Sequence, residues 1–241
     1  MFNGSGSTIE RMRPLFNVLE TQFDVVLHDQ RGLGRTEIPQ GPYSMAAYAA
    51  DAIALVDHLG WESFNVMGIS FGGMVAQEFA VTIPDRIEKL ALLCTSPGGL
   101  GGSSYPLHEL RSMSTSERAA LSMTIMDTRF TPEWLATHPT DKMFVDGISG
   151  QYSAVTDSEV ERGEIEQLNA RRTHDVWDRL GVITAPTFIG AGRYDGIAPL
   201  LNSEAMAARI PNSELHVYEG GHGFFAQDAA AFPDMFRFFA D

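Results

Sequence analysis

The pentapeptide Gly68-Ile69-Ser70-Phe71-Gly72 follows an apolar run, Phe64 to Ile69, and precedes a stretch with helical spacing from about Phe71 to Thr82. A serine between a strand and a helix sits in a sharp turn that projects its hydroxyl. Glycines two residues to either side let neighbouring backbone approach without a Cβ clash. The helix N-terminus then aims its dipole and the free amide of Phe71 at negative charge developing on a bound carbonyl. A neutral serine is a weak nucleophile until a base takes its proton, so a histidine is needed at the carboxyl end of a later strand. Of seven histidines, His222 is best placed, in the loop Glu219-Gly220-Gly221-His222-Gly223 after the apolar run Leu215 to Tyr218. His58 falls in a helix, His216 in a strand, and His108, His138 and His174 in a helical stretch, which leaves His28, at a strand end, as the next candidate. The imidazole in turn needs an acid to orient it. Asp195 lies in Gly192-Arg193-Tyr194-Asp195-Gly196, just after the run Thr187 to Ala191 and 27 residues ahead of His222, room for one helix around Glu204 to Ile210 and one strand. Ser70, His222 and Asp195 therefore read as nucleophile, base and orienting acid for acyl transfer.

The elements that must position these residues are short, near-continuous apolar runs alternating with amphipathic stretches, the pattern of an α/β fold with a mostly parallel, doubly wound sheet. Strands are expected at Phe23 to His28, Phe64 to Ile69, Leu90 to Cys94, Thr187 to Ala191 and Leu215 to Tyr218. Ser44 caps a helix whose Met45, Tyr48, Ala52, Leu55, Val56 and Leu59 share one face and which Gly60 stops. Between Gly98 and about Trp177 strand patterns vanish. Ser114 with Glu117 forms a capping box there, and Thr131 before Pro132 and Glu133 marks another helix start. Residues 1–98 and 177–241 thus read as the core, and 99–176 as a helical cap.

The chain has 241 residues and a formal net charge of −14, which repels nucleic acid and anionic membrane surfaces. Its single cysteine, Cys94, allows no intrachain disulfide and no multi-cysteine metal site, and reads as a small buried hydrophobe in a reducing compartment. Glu10, Arg11 and Arg13 interrupt the opening segment where a signal peptide needs an apolar run. A cytoplasmic protein acting on a small molecule is expected, with no metal and no cofactor, since side chains, amides and water suffice for every step.

Four segments together resemble the α/β-hydrolase family: Asn3-Gly4-Ser5-Gly6-Ser7, Asp29-Gln30-Arg31-Gly32-Leu33-Gly34, the turn Gly68 to Gly73, and the Asp195 and His222 loops, in the family's order Ser, Asp, His. Within it the chain is most similar to bacterial 3-oxoadipate enol-lactonase-like esterases with a helical cap. The resemblance implies an oxyanion hole from the backbone amides of Ser5 and Phe71, with Asn3 standing where the family usually has histidine. It also implies that strands are missing ahead of Asn3. In that family the oxyanion loop follows a third strand lying between the fourth and fifth, and here only Met1 and Phe2 precede it. A gap between Phe23–His28 and Phe64–Ile69 is expected, with Met1 an internal start of a product roughly 20 to 30 residues longer.

Other polar residues read as structural. Asp29 and Arg31 are expected in a salt bridge rather than in a catalytic role, and Arg171 and Arg172 on a solvated helix face rather than against a substrate carboxylate, as an enol-lactonase would need. Trp134, Met123, Met126, Met143 and Phe144 either pack the cap or line an apolar pocket. Three functions fit the residues: an esterase or lactonase working through an acyl-serine, a carbon-carbon bond hydrolase using the same three side chains, and a ligand-binding sensor on the same scaffold.

Overall fold

The alternation of apolar and amphipathic stretches produces, in the computed structural model, which describes residues 1–149 and 157–240, a parallel sheet of four strands. The chain runs α1 (Ile9–Leu19), α2 (Met45–His58), β1 (Phe64–Ile69), α3 (Phe71–Thr82), β2 (Ile87–Leu93), α4 (Thr115–Met126), α5 (Pro132–Thr137), α6 (Pro139–Ser149), α7 (Ser158–Arg172), β3 (Thr187–Gly192), α8 (Leu200–Arg209), β4 (Ser213–Tyr218), α9 (Phe224–Gln227) and α10 (Ala231–Ala240). The sheet order is β1-β2-β3-β4, every pair parallel.

Both faces are covered, and the two-residue period of a strand shows how. Leu90 and Leu92 of β2, with Ile189 of β3, join Tyr48 of α2, Phe79 of α3 and Met206 of α8 in one core. Ala91, Leu93 and Phe188 turn to the opposite core, with Leu19 of α1 and Met235 of α10. Strands buried on both sides have no polar face to present, hence their continuous apolar runs. The expected caps form: Ser44 Oγ accepts from the Ala47 amide at 3.1 Å, and Ser114 and Glu117 make a reciprocal capping box at the start of α4.

The expected strand at Phe23–His28 does not form. Among the described residues it has no ladder partner, and β1 on that side pairs only with Phe2, whose amide donates to the Met67 carbonyl at 2.8 Å and whose carbonyl accepts from Ile69 at 3.1 Å. Met1 bridges to the segment through the Val26 carbonyl at 2.9 Å. Beyond these contacts a cavity of about 420 Å³, lined by Phe23, Val25, Leu55, Trp61, Phe64 and Val66 among others, separates the segment from β1.

Helices α4 to α7 lie between β2 and β3 in the chain, the stretch read as the cap, of which 150–156 fall outside the described residues. Among the described residues no helix is long and apolar enough to cross a membrane.

Candidate active site

β1 ends at Ile69, and Ser70 turns directly into α3 with φ 55° and ψ −115°, a conformation that costs an ordinary side chain of order 1–3 kcal/mol. Its neighbours hold it there. The Ser70 amide donates to Leu93 O at 2.8 Å, and Thr95 Oγ1 donates to Ser70 O at 2.8 Å. Gly72 lets the preceding loop close over the turn, since a Cβ there would lie 2.2 Å from Phe2 O and 2.6 Å from Asn3 O. That contact brings the Asn3–Ser5 segment beside the nucleophile: a Cβ on Gly4 would stand 3.7 Å from Ser70 Cβ.

The chain brings the three sequence-predicted side chains together. His222 Nε2 accepts from Ser70 Oγ at 2.8 Å, and His222 Nδ1 donates to Asp195 Oδ2 at 2.8 Å. Asp195 is buried, and its second oxygen accepts from the Ile197 and Ala198 amides at 2.8 Å each, so the carboxylate is fixed on both oxygens. The two loops emerge side by side because β3 and β4 are adjacent and Gly192 packs without a side chain, a Cβ there falling 2.0 Å from Gly221 O. The backbone amides of Ser5 and Phe71 donate to no protein acceptor among the described residues. Such an arrangement can take a proton from a serine oxygen and receive an oxyanion on amides.

Several residues took roles the sequence did not reveal. The Ile125–Thr131 stretch clamps both loops. Met126 O accepts from the His222 amide at 2.6 Å, Ile125 O from Gly196 at 3.0 Å, and Thr128 donates to Tyr194 O at 2.9 Å. Asp127, fully buried, anchors that stretch. It receives Arg129 Nε at 2.9 Å and Nη2 at 2.6 Å, and Gln227 Nε2 at 3.0 Å, while Gln227 Oε1 accepts from the Gly221 amide at 2.9 Å. The Arg129 guanidinium stacks 4.0 Å over the Tyr194 ring. On the other flank Gln167 of α7 accepts from the Gly6 amide at 2.7 Å and ties the inserted helices to the Asn3–Ser7 loop. Apart from Asp127–Arg129 and Gly221–Gln227, these pairs join residues distant in sequence, so no local motif signals them.

The other candidates resolve differently. His28 stands apart from Ser70, and burial lowers its pKa from 6.5 to about 4. Asp29 and Arg31 do not pair with each other: Asp29 accepts from the Ile9 and Arg35 amides, whereas Arg31 makes a two-pronged bridge to Asp51 of α2 at 2.6 and 2.7 Å. Arg171, expected on a solvated face, is 5% exposed, because the α7 face that carries Gln167 packs inward; Arg172 is exposed. Cys94 is buried, with its thiol pKa pushed well up by burial. Met143 is 75% exposed, while the tip of the Phe144 ring lies 2.6 Å from where a Cβ on Gly223 would stand, beside His222. Trp134 stacks on His138 at 3.6 Å. Among the described residues no cluster of acidic, histidine or cysteine side chains could hold a metal ion.

A family model described as the alpha/beta hydrolase fold matches residues 2–229. Among curated proteins, the poly(3-hydroxyalkanoate) depolymerase of Ectopseudomonas oleovorans is 30% identical over 239 residues, 96% of this chain and 80% of that protein. The 3-oxoadipate enol-lactonase 2 of Acinetobacter baylyi is 23% identical over 222 residues, covering 91% of this chain and 79% of that protein. Among solved structures, the enol-lactonase from Burkholderia xenovorans LB400 superposes with a TM-score of 0.78 at 21% identity, over all of this chain and 90% of that one, a likeness of fold.

Proposed function

This chain belongs to the α/β-hydrolase family, and from that premise we propose that it is a serine hydrolase cleaving a small carboxylic ester or lactone through an acyl-serine. The observation that carries the reading is the unbroken relay Ser70–His222–Asp195, with both links at 2.8 Å. As the Ser70 oxygen attacks the carbonyl carbon, its proton passes to His222 Nε2. The imidazolium so formed is stabilised by Asp195 through Nδ1–H. The oxyanion is received by the amides of Ser5 and Phe71, and each such donor is worth about 3–4 kcal/mol in the transition state. His222 then gives the proton to the leaving oxygen. In the second half it takes a proton from water as the water oxygen bonds to the acyl carbon, then returns that proton to Ser70 Oγ as the bond from Oγ to the acyl carbon breaks, which releases the acid and restores Ser70. The inserted helices, with Phe144 beside His222, cover the site as a cap and bound the acyl group. A depolymerase and a lactonase among the relatives by name are in keeping with attack on a carbonyl that bears an oxygen leaving group.

A fluorophosphonate probe tests this directly. One equivalent is expected on Ser70 by peptide mass spectrometry, with labelling suppressed in His222→Ala, alongside turnover of a panel of short esters and lactones that falls at least about a thousandfold in Ser70→Ala. Labelling elsewhere, or more than a tenth of the activity left in Ser70→Ala, refutes the assignment.

A further inference from the structure

The relay of Ser70, His222 and Asp195 leaves one buried hydroxyl at the nucleophile turn without a role. β1 and β2 end level with one another, Ile69 beside Leu93, so Thr95 comes up alongside Ser70. Thr95 is 1% exposed, and its Oγ1 donates to Ser70 O at 2.8 Å. Helix formation does not call for this bond. The same carbonyl already accepts the Gly73 amide at 2.9 Å and the Met74 amide at 3.3 Å, as the carbonyl ahead of a helix does. For an oxygen with two lone pairs, a third donor is a surplus.

The surroundings are shaped to hold that hydroxyl. Gly73 carries no side chain where Thr95 stands: a Cβ there would lie 2.5 Å from Thr95 Cβ and 2.6 Å from Oγ1. Behind it the fully buried Gln77 turns Nε2 to Gly73 O at 3.0 Å and to Ser96 O at 3.2 Å, with a long contact of 3.5 Å to Thr95 Oγ1. An amide nitrogen only donates and a carbonyl only accepts, so the Thr95 proton lies toward Ser70 O.

What the bond controls follows from the peptide on which it ends. The Ser70 carbonyl and the Phe71 N–H are opposite ends of one planar unit and point in opposite directions. That N–H is the oxyanion donor of the proposed reaction, and it donates to no protein acceptor among the described residues. Ser70, at φ 55° and ψ −115°, lies outside the common backbone wells, so local preference alone does not set the tilt of this plane. A donor on the oxygen side fixes where the N–H points. It also polarises the unit, because hydrogen bonds in a chain strengthen one another.

We propose that Thr95 is a positioning residue for oxyanion stabilisation, acting through the Ser70–Phe71 peptide without touching substrate. The assignment rests on the reading of Ser70 as nucleophile, and its test separates the two. Thr95→Val keeps the side-chain shape and removes the donor while Ser70 O retains two amides, so the melting temperature is expected within about 5 °C of the parent's. A whole oxyanion donor is worth about 10²–10³ in kcat, and one present but misdirected is expected to cost about 5- to 50-fold. KM is expected to stay unchanged, because the interaction is made only in the transition state. Thr95→Ser, which keeps the hydroxyl, should recover most of kcat. A trifluoromethyl ketone, whose adduct with Ser70 carries an oxyanion, should bind Thr95→Val more weakly by the same factor. In the ligand-free protein labelled with ¹⁵N, the Phe71 amide resonance should move in Thr95→Val and return in Thr95→Ser. If it does so but the parent hydrolyses no ester and takes up no fluorophosphonate at Ser70, the nucleophile reading fails while the hold of Thr95 on the Phe71 amide stands. An unmoved Phe71 resonance, or kcat within twofold of the parent in a folded Thr95→Val, overturns the proposal and leaves the nucleophile reading intact.

Discussion

Replacing Asp127 with alanine should damage both stability and turnover, although Asp127 touches none of the reacting atoms. Its fully buried carboxylate receives the Arg129 amide and two guanidinium nitrogens at 2.6–3.0 Å, and Gln227 Nε2 at 3.0 Å. Breaking a buried ion pair costs about 3–5 kcal/mol, and the lower end applies because the Arg129 side chain keeps 19% exposure and can take up water. For a chain of this length about 3 kcal/mol lowers the melting temperature by roughly 6–12 °C. The second effect runs through Gln227, which loses its anchor while holding the Gly221 amide, and through Met126, whose carbonyl fixes the His222 amide. A displacement of about 1 Å at the base is worth about a hundredfold in rate. Differential scanning fluorimetry and ester turnover measure the two effects, and a double-mutant cycle with Gln227→Ala tests the route: the two substitutions should be strongly non-additive in kcat. A melting temperature within about 1 °C of the parent and kcat/KM within twofold would show that the clamp does not position His222.

Asp195→Asn keeps the shape of the acid but removes the charge that holds the histidine tautomer, and kcat should fall about 10⁴-fold with the melting temperature nearly unchanged; a loss under tenfold contradicts the relay. Gly72→Ala drives a methyl against Phe2 O and Asn3 O, so the Ser5 amide moves off the oxyanion and kcat should drop about 10²–10³-fold, read from steady-state ester kinetics. His174 is buried, and burial above all lowers its pKa from 6.5 to about 4. Between those values the unfolded chain binds the extra proton and the folded chain does not, so stability is complete above about pH 6.5 and is lost as pH falls toward 4. The loss is up to about 3 kcal/mol, and urea unfolding of the parent against His174→Gln at pH 7 and pH 4.5 should show it shrink in the variant.

What the sequence determined by itself was whatever a few consecutive residues encode. The strands at Phe64, Thr187 and their neighbours are continuous apolar runs. The Ser70 turn carries its own glycines, and the caps at Ser44 and Ser114 complete their hydrogen bonds within three residues. The loops of Asp195 and His222 were legible for the same reason, as glycine-flanked ends of apolar runs. Tertiary structure decided what depends on a distant partner. Phe23–His28 has strand composition but no ladder, because a strand exists only where a neighbour supplies its hydrogen bonds. Arg31 chose Asp51 across to α2 rather than nearby Asp29, since approach and angle set an ion pair. Asp127 and Gln227 meet across 100 residues. Arg171 and Arg172 are adjacent and chemically identical, yet one is buried and the other exposed: successive helical residues point about 100° apart, and only packing against the Tyr105 loop decides which of them loses its water.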